Sequence, residues 1–169
     1  MIEVEEKNLV LDARQINQKI KRIAFEMYEN NFKEKVLVFA GIDGQGFKLA
    51  QLLAKEVEQI SAIKSIVVNV LVDKFSTQLG EVQINIPEKE LKKRVVILVD
   101  DVLNTGRTLA YGLTPFLAIE IKKIEVAVLV NRSHSLFPIL PTYTGYDLAT
   151  TLTDHVEVTL GAKPSVYLR

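Results

Sequence analysis

Residues 95–108 read Val-Val-Ile-Leu-Val-Asp-Asp-Val-Leu-Asn-Thr-Gly-Arg-Thr, and they concentrate the chemistry of this chain. An apolar run delivers two adjacent carboxylates, Asp100 and Asp101. Such a pair is costly at a strand end unless it meets solvent, a cation or hydroxyl donors. A sugar diol supplies hydroxyls, and a bound divalent cation supplies charge. Leu103, Asn104, Thr105, Gly106, Arg107 and Thr108 then form a short turn into a helix. Gly106 permits close backbone approach or a positive φ. Thr105 and Thr108 add hydroxyls, and the first helical amides face the turn, making a cup for a monoester phosphate. Diol acceptors beside a phosphate cup match the span of a 5-phosphorylated ribose. A capped helix behind an Asp-rich turn is the plainer alternative; the compactness of the whole pattern favours the sugar phosphate.

A second turn, Gly41-Ile42-Asp43-Gly44-Gln45-Gly46, follows the apolar run Lys35 to Ala40. Its glycine order is wrong for a dinucleotide fingerprint, and it lacks the Gly-Lys-Thr/Ser of a nucleotide phosphate loop. Its amides can contact phosphates; a plain turn with a tight helix start is the alternative. The chain has 2 His and no Cys, so disulfides, thiolate zinc sites and cysteine nucleophiles are excluded. His134 and His155 cannot by themselves supply a dedicated metal cluster.

These residues need a scaffold, and the chain encodes one. It has 169 residues, 48% of them hydrophobic, which suits one globular domain spanning 1–169. Lys+Arg 21 balances Asp+Glu 21, which argues against a strongly basic nucleic-acid binder. No signal peptide or membrane span is visible, and a cytoplasmic protein is expected, with no membrane partner. A mean hydropathy of +0.16 points weakly to a buried subunit interface. Asp12 and Gln15 predict a capped helix over 12–30, with Ile16, Ile20, Ile23 and Met27 on one stripe. Further helices are expected over 47–60 and 108–119, the latter bent or shortened at Pro115. Nonalternating apolar strands are expected at 35–40, 65–72, 94–99 and 123–130, then a closing pair at 156–160 and 166–168. Val82, Ile84 and Ile86 alternate with polar residues as in an exposed ribbon. The fold class is therefore α/β, with a mostly parallel central sheet flanked by helices and a small hood ribbon. Such sheets bind ligands at the carboxyl ends of their strands.

The segment of apolar strand, acidic pair, two apolar residues and Thr-Gly-x-Thr resembles the signature of the type I phosphoribosyltransferases. That resemblance implies that Asp100 and Asp101 hold the ribose hydroxyls of phosphoribosyl pyrophosphate, and that Leu103–Thr108 grips its 5-phosphate. It further implies Mg²⁺, held indirectly near Asp100 and Asp101, and a homodimer. Purine-salvage members carry an Asp where Asn104 stands, so the purine reading is weakened. Lys21–Glu26, Val99–Arg107, Val128–His134 with Leu136–Ile139, and Tyr143–Tyr146 are similar to the pyrimidine operon attenuation regulators, a family with uracil phosphoribosyltransferase activity. This implies a base, uracil or another pyrimidine, near Asn131, Arg132 and His134.

The chain also departs from the pattern. Its pyrophosphate loop, Gly41, Ile42, Asp43, Gly44 and Gln45, has Gln where the family presents Arg, and Lys48 is a substitute only if it points into the site. The hood is shorter and begins Asp73-Lys74-Phe75-Ser76, with Lys74 its expected cation. Lys21 and Phe25 stand where the regulators contact RNA, and His134 matches a third such position. A solvated helix face accounts for Lys19, Lys21 and Arg22, so RNA is a possible partner that is not favoured. Transfer of a phosphoribosyl group to a nucleobase is the leading expectation. A noncatalytic sensor of phosphoribosyl pyrophosphate or nucleotide is the alternative.

Overall fold

The computed structural model describes residues 6–73 and 80–169. In chain order its elements are β1 (Asn8–Leu11), α1 (Ala13–Asn31), β2 (Val36–Ile42), α2 (Gln45–Ile60), β3 (Lys64–Leu71), β4 (Gln83–Ile84), β5 (Val95–Leu103), α3 (Arg107–Leu117), β6 (Lys123–Asn131), β7 (Tyr143–Asp147), β8 (Val156–Thr159) and β9 (Ser165–Leu168). The main sheet runs β4-β3-β2-β5-β6-β7, all parallel except β4. This is the expected α/β architecture. A second, three-stranded sheet, β1-β9-β8, is antiparallel.

Apolar strands without alternation need cover on both faces, and they have it. Leu49, Leu53 and Val57 of α2 and Ile16, Ile20, Ile23 and Met27 of α1 pack on one face, with Val156, Val158 and Val166 of the small sheet. Leu109 and Phe116 of α3 cover the other, and Val82, Ile84 and Ile86 lie partly buried along it. Rather than standing exposed, this described part of the ribbon lies on the sheet, and among the described residues it pairs with β3 at Gln83 and Ile84. Lys74, the expected hood cation, lies outside the described residues.

Local signals act as their chemistry requires. Asp12 accepts from the Gln15 amide at 2.8 Å while the Gln15 side chain accepts from the Asp12 amide, a complete capping box. Pro115 sits inside α3, which ends two residues later. The Tyr111 carbonyl, deprived of its helical donor, accepts instead from the Thr114 hydroxyl at 2.7 Å.

Where α1 meets β6 and β7, the buried Tyr143 hydroxyl donates to Glu125 Oε2 at 3.0 Å. Asn30 donates to that hydroxyl at 3.2 Å, and Asn31 donates to Glu125 Oε1 at 2.9 Å. Burial first, and then the Glu125 charge, hold the Tyr143 phenol well above its ordinary range. The neutral phenol therefore stabilises the fold fully below the unfolded pKa of about 10. Above it the unfolded chain releases a proton that the folded chain keeps, so stability falls as pH rises. Tyr143→Phe is expected to destabilise by about 1–3 kcal/mol near neutral pH. Thermal melts across alkaline pH check this, with the decline above pH about 10 shallower in the variant.

Candidate functional site

The connections reverse direction between β2 and β5. From β2 the chain crosses through α2 to β3 on one side; from β5 it crosses through α3 to β6 on the other. Such a switch point opens a crevice at the carboxyl ends of the two strands. The two glycine turns read from the sequence are the two loops that flank it.

Asp100 and Asp101 lie within β5 rather than beyond it, because pairing with β6 continues to Leu103↔Asn131. Pairing with β2 stops at Gly41↔Val99, so the acidic pair stands where β5 has lost one neighbour. Asp100 is 3% exposed, and its Oδ1 accepts from the Asp101 amide at 2.9 Å. Asp101 is half-buried. A cavity of about 110 Å³ is lined by the continuous segment Asp100–Leu109, which gathers the acidic pair and the whole turn.

Gly106 has φ 88°, as the positive-φ expectation requires. It opens α3 without a capping side chain and with no acidic residue in the first turn, so the positive end of the helix faces the cavity unneutralised. Thr105 is fixed from outside: its carbonyl accepts from the Leu136 and Phe137 amides at 2.8 and 3.0 Å. Its hydroxyl accepts from the Arg107 amide at 3.3 Å. The Arg107 guanidinium lies 5.0 Å from the Tyr111 ring centre. Leu103 is a core residue of the α3 face, while Asn104 is exposed at the rim.

The other turn is tighter than its sequence implied. Gly41 and Ile42 end β2, Gln45 and Gly46 begin α2, and only Asp43 and Gly44 lie between. Gly44 has φ 94°, and this helix too starts without a side-chain cap or an acidic first turn. Ile42 is fully buried, so its side chain belongs to the core. Asp43 Oδ1 accepts from Asn69 at 3.1 Å. Gln45 Oε1 accepts from the Leu160 amide at 2.8 Å, which ties α2 to the end of β8. Lys48 lines a separate groove of about 390 Å³ with Asn17, Gln51 and Leu160. It is absent from the lining of the acidic-pair cavity.

On the β6 side, Arg132 is 9% exposed and spends its guanidinium on protein acceptors. It donates to Asn104 Oδ1 at 2.8 Å, Thr150 Oγ1 at 3.0 Å, the Thr151 carbonyl at 3.2 Å and the Asp154 carbonyl at 2.7 Å. His134 Nε2 lies 3.0 Å from the Thr150 carbonyl. Asn131 Oδ1 accepts from the Ser133 amide at 3.0 Å, in a turn that holds Ser133 at φ 60°. The Thr151 amide, foremost, holds the Asp154 carboxyl below its usual range. Thr150, Thr151 and Asp154 carried no signal in the sequence, since their partners lie 16 to 22 residues away.

The basic cluster on α1 is more committed than a solvated face. Arg22 donates to the Thr144 and Gly145 carbonyls of β7 at 2.9 and 2.8 Å, and Lys19 lies 5.6 Å from the Tyr146 ring centre. Lys21 and Phe25 are exposed. Among the described residues no group of three or more His, Cys, Asp or Glu could hold a metal, and no helix is long and apolar enough to cross a membrane.

The fold is that of the type I phosphoribosyltransferases. The chain superposes on a hypoxanthine-guanine phosphoribosyltransferase from Bacillus anthracis with a TM-score of 0.69 at 17% identity, covering 86% of this chain and 85% of that one. With the hypoxanthine phosphoribosyltransferase of Trypanosoma cruzi the TM-score is 0.71 at 14% identity, covering 83% and 81%. The family profile described as phosphoribosyl transferase domain matches residues 8–162. The chain belongs to that family and is a phosphoribosyltransferase. Its curated relatives include proteins named Bifunctional protein PyrR. The one from Macrococcus caseolyticus is 32% identical over 97% of this chain and 99% of its own length. That of Bacillus subtilis is 32% identical over 93% and 92%.

Proposed function

We propose that the protein transfers a 5-phosphoribosyl group from phosphoribosyl pyrophosphate to a pyrimidine base, with uracil the acceptor. One observation carries this reading: the acidic pair and the uncapped start of α3 share one cavity at the switch point. The Asp100 and Asp101 carboxylates accept from the ribose hydroxyls, and the amides of 103–108 donate to the 5-phosphate. Pyrophosphate lies against the Asp43–Gly44 turn and the start of α2, where a second positive helix end meets the crevice. The neutral base lies on the opposite side, toward Asn131, Arg132 and His134. Substitution at the anomeric carbon passes through an oxocarbenium-like state, so the protein needs no nucleophile; it orients the reactants and stabilises the departing charge.

Two adjacent carboxylates, one half-buried, do not enclose a cation, but they suit Mg²⁺ carried in on substrate oxygens with several waters retained. When bound, that ion neutralises charge on the pyrophosphate. The same reading makes the protein a homodimer, in keeping with exposed Leu117, Leu136 and Leu140.

A second reading, a sensor of phosphoribosyl pyrophosphate or nucleotide with slow turnover, rests on a different observation. Gln45 is occupied by Leu160 and Lys48 lines another groove, so neither places a side chain against the leaving group. Purified protein incubated with phosphoribosyl pyrophosphate, Mg²⁺ and each common base separates the two. Uridine monophosphate formation is expected. Saturable binding with no nucleotide formed from any base establishes the sensor.

A further inference from the structure

Asp43 is out of place on charge grounds. It stands one residue before Gly44, which opens α2 with no side-chain cap, and the positive end of a helix attracts a nearby carboxylate. The first backbone bond of α2 runs from the Lys48 amide to the Gly44 carbonyl at 3.2 Å, so the amides of Gln45, Gly46 and Phe47 have no acceptor within the helix. An Asp so close would ordinarily supply one. Asp43 instead turns the other way: its Oδ1 accepts from Asn69 Nδ2 at 3.1 Å.

Two neighbouring elements build the hold on that carboxylate. Asn69 lies on β3 opposite Gly41 of β2, and the Asp43 amide donates to the Val70 carbonyl at 2.9 Å. Because β2 separates β3 from β5, the tether draws the Asp43 charge to the side of β2 away from Asp100 and Asp101. Asn69 is itself fixed from the ribbon, where Asn85 Oδ1 accepts from its backbone amide at 2.8 Å. The orientation of its side chain is forced, since a carboxylate can only accept. The Asn69 Oδ1 is then buried without a hydrogen-bond partner among the described residues, a cost that an apolar residue at this place in β3 would avoid.

We infer that Asn69 is a positioning residue for the pyrophosphate end of the site: it restrains Asp43 from capping α2 and so keeps the helix amides open to the leaving group. The inference rests on the phosphoribosyl reading above and deepens it. Without the tether, Asp43 becomes an intramolecular competitor, an anion beside the amides that pyrophosphate must use. The ribose and the 5-phosphate, bound by the β5 segment and its turn, lie outside that competition.

Calorimetric titration with phosphoribosyl pyrophosphate and with ribose 5-phosphate, Mg²⁺ present, tests this without requiring turnover. Asn69→Ala is expected to weaken phosphoribosyl pyrophosphate by about tenfold, the worth of one helix cap, and to leave ribose 5-phosphate within about twofold. Adding Asp43→Ala is expected to restore most of that loss while lowering the melting temperature further, because the competitor is also a cap. A void left by the Asn69 side chain would behave differently, since removing a second side chain cannot mend it. Should Asn69→Ala fail to fold, Asn69→Asp keeps the shape and loses the donor, and the Asp43→Ala addition is read against it. Three results overturn the inference: unchanged affinity for phosphoribosyl pyrophosphate in the Asn69 variant, equal weakening of both sugars, or a loss that Asp43→Ala does not restore. A restoration that comes with a higher melting temperature overturns it too. In each case ribose 5-phosphate binding by the intact protein leaves the underlying reading standing. If neither sugar binds the intact protein, both fall.

Discussion

Asp101→Asn is expected to weaken binding of phosphoribosyl pyrophosphate and ribose 5-phosphate by at least about 100-fold while leaving the melting temperature nearly unchanged. The two members of the acidic pair are not equivalent. Asp100 is 3% exposed, accepts from the Asp101 amide, and packs so tightly beneath α2 that a Cβ on Gly46 would lie 2.8 Å from its Oδ1. Asp101 is half-buried and bounds the same cavity. Its charge is thus the one more open to ligand, and removing it replaces charge-assisted hydrogen bonds to hydroxyls with neutral ones. Asp100→Asn differs because its one remaining oxygen must face the Asp101 N–H, which forces its NH₂ into the buried place of the second carboxylate oxygen. That variant is expected to lose ligand and stability together. Calorimetry with both sugars in the presence of Mg²⁺, beside thermal melts, separates the two effects. Binding by Asp101→Asn as tight as that of the unmodified protein would remove the diol contact from the account.

The sheet was legible because its central strands are apolar on both faces, a pattern that only a covered, mostly parallel sheet requires. The acidic pair was legible because two carboxylates behind such a strand have few stable environments. What the sequence hid was whatever depends on partners far along the chain. Strand β5 runs on through Asp100 and Asp101 because β6 keeps supplying hydrogen bonds, and hydropathy does not register a ladder. Strand β1 is four residues at the margin of the small sheet. Strand β7 carries a glycine at its centre, a feature that argues against a strand when read alone. In place it is required, since a Cβ on Gly145 would sit 2.6 Å from the Leu129 carbonyl oxygen. Gln45 read as a defect in a phosphate loop; its partner is Leu160, 115 residues away. Arg132 read as a residue of the base side, and its acceptors are likewise distant, from 18 to 28 residues away.

Gly41→Ala is expected to cost about 2–4 kcal/mol and to reduce turnover by about 100-fold. A Cβ there would lie 2.5 Å from the Phe47 Cα, 2.8 Å from the Gly46 carbonyl oxygen and 2.9 Å from the Ala50 Cβ. Backbone and a methyl group cannot swing aside, so the first turn of α2 must back away from β2. That movement withdraws the uncapped helix start from the crevice and opens the contact between Gly46 and Asp100. Gly46→Ala acts on the same seam from the other side, where its Cβ would meet Asp100 Oδ1 at 2.8 Å and the Val99 carbonyl oxygen at 3.0 Å. Gly161→Ala provides the contrast, because nothing lies within 4 Å of its Cβ. It is expected to change stability by less than about 0.5 kcal/mol. Melting curves and single-turnover rates for the three variants check the seam. If Gly41→Ala melts and turns over like Gly161→Ala, close seating of α2 on the sheet is not what sets the crevice. Loss of turnover in Gly46→Ala with ribose 5-phosphate binding retained would locate the effect at the pyrophosphate end, where the start of α2 meets the leaving group.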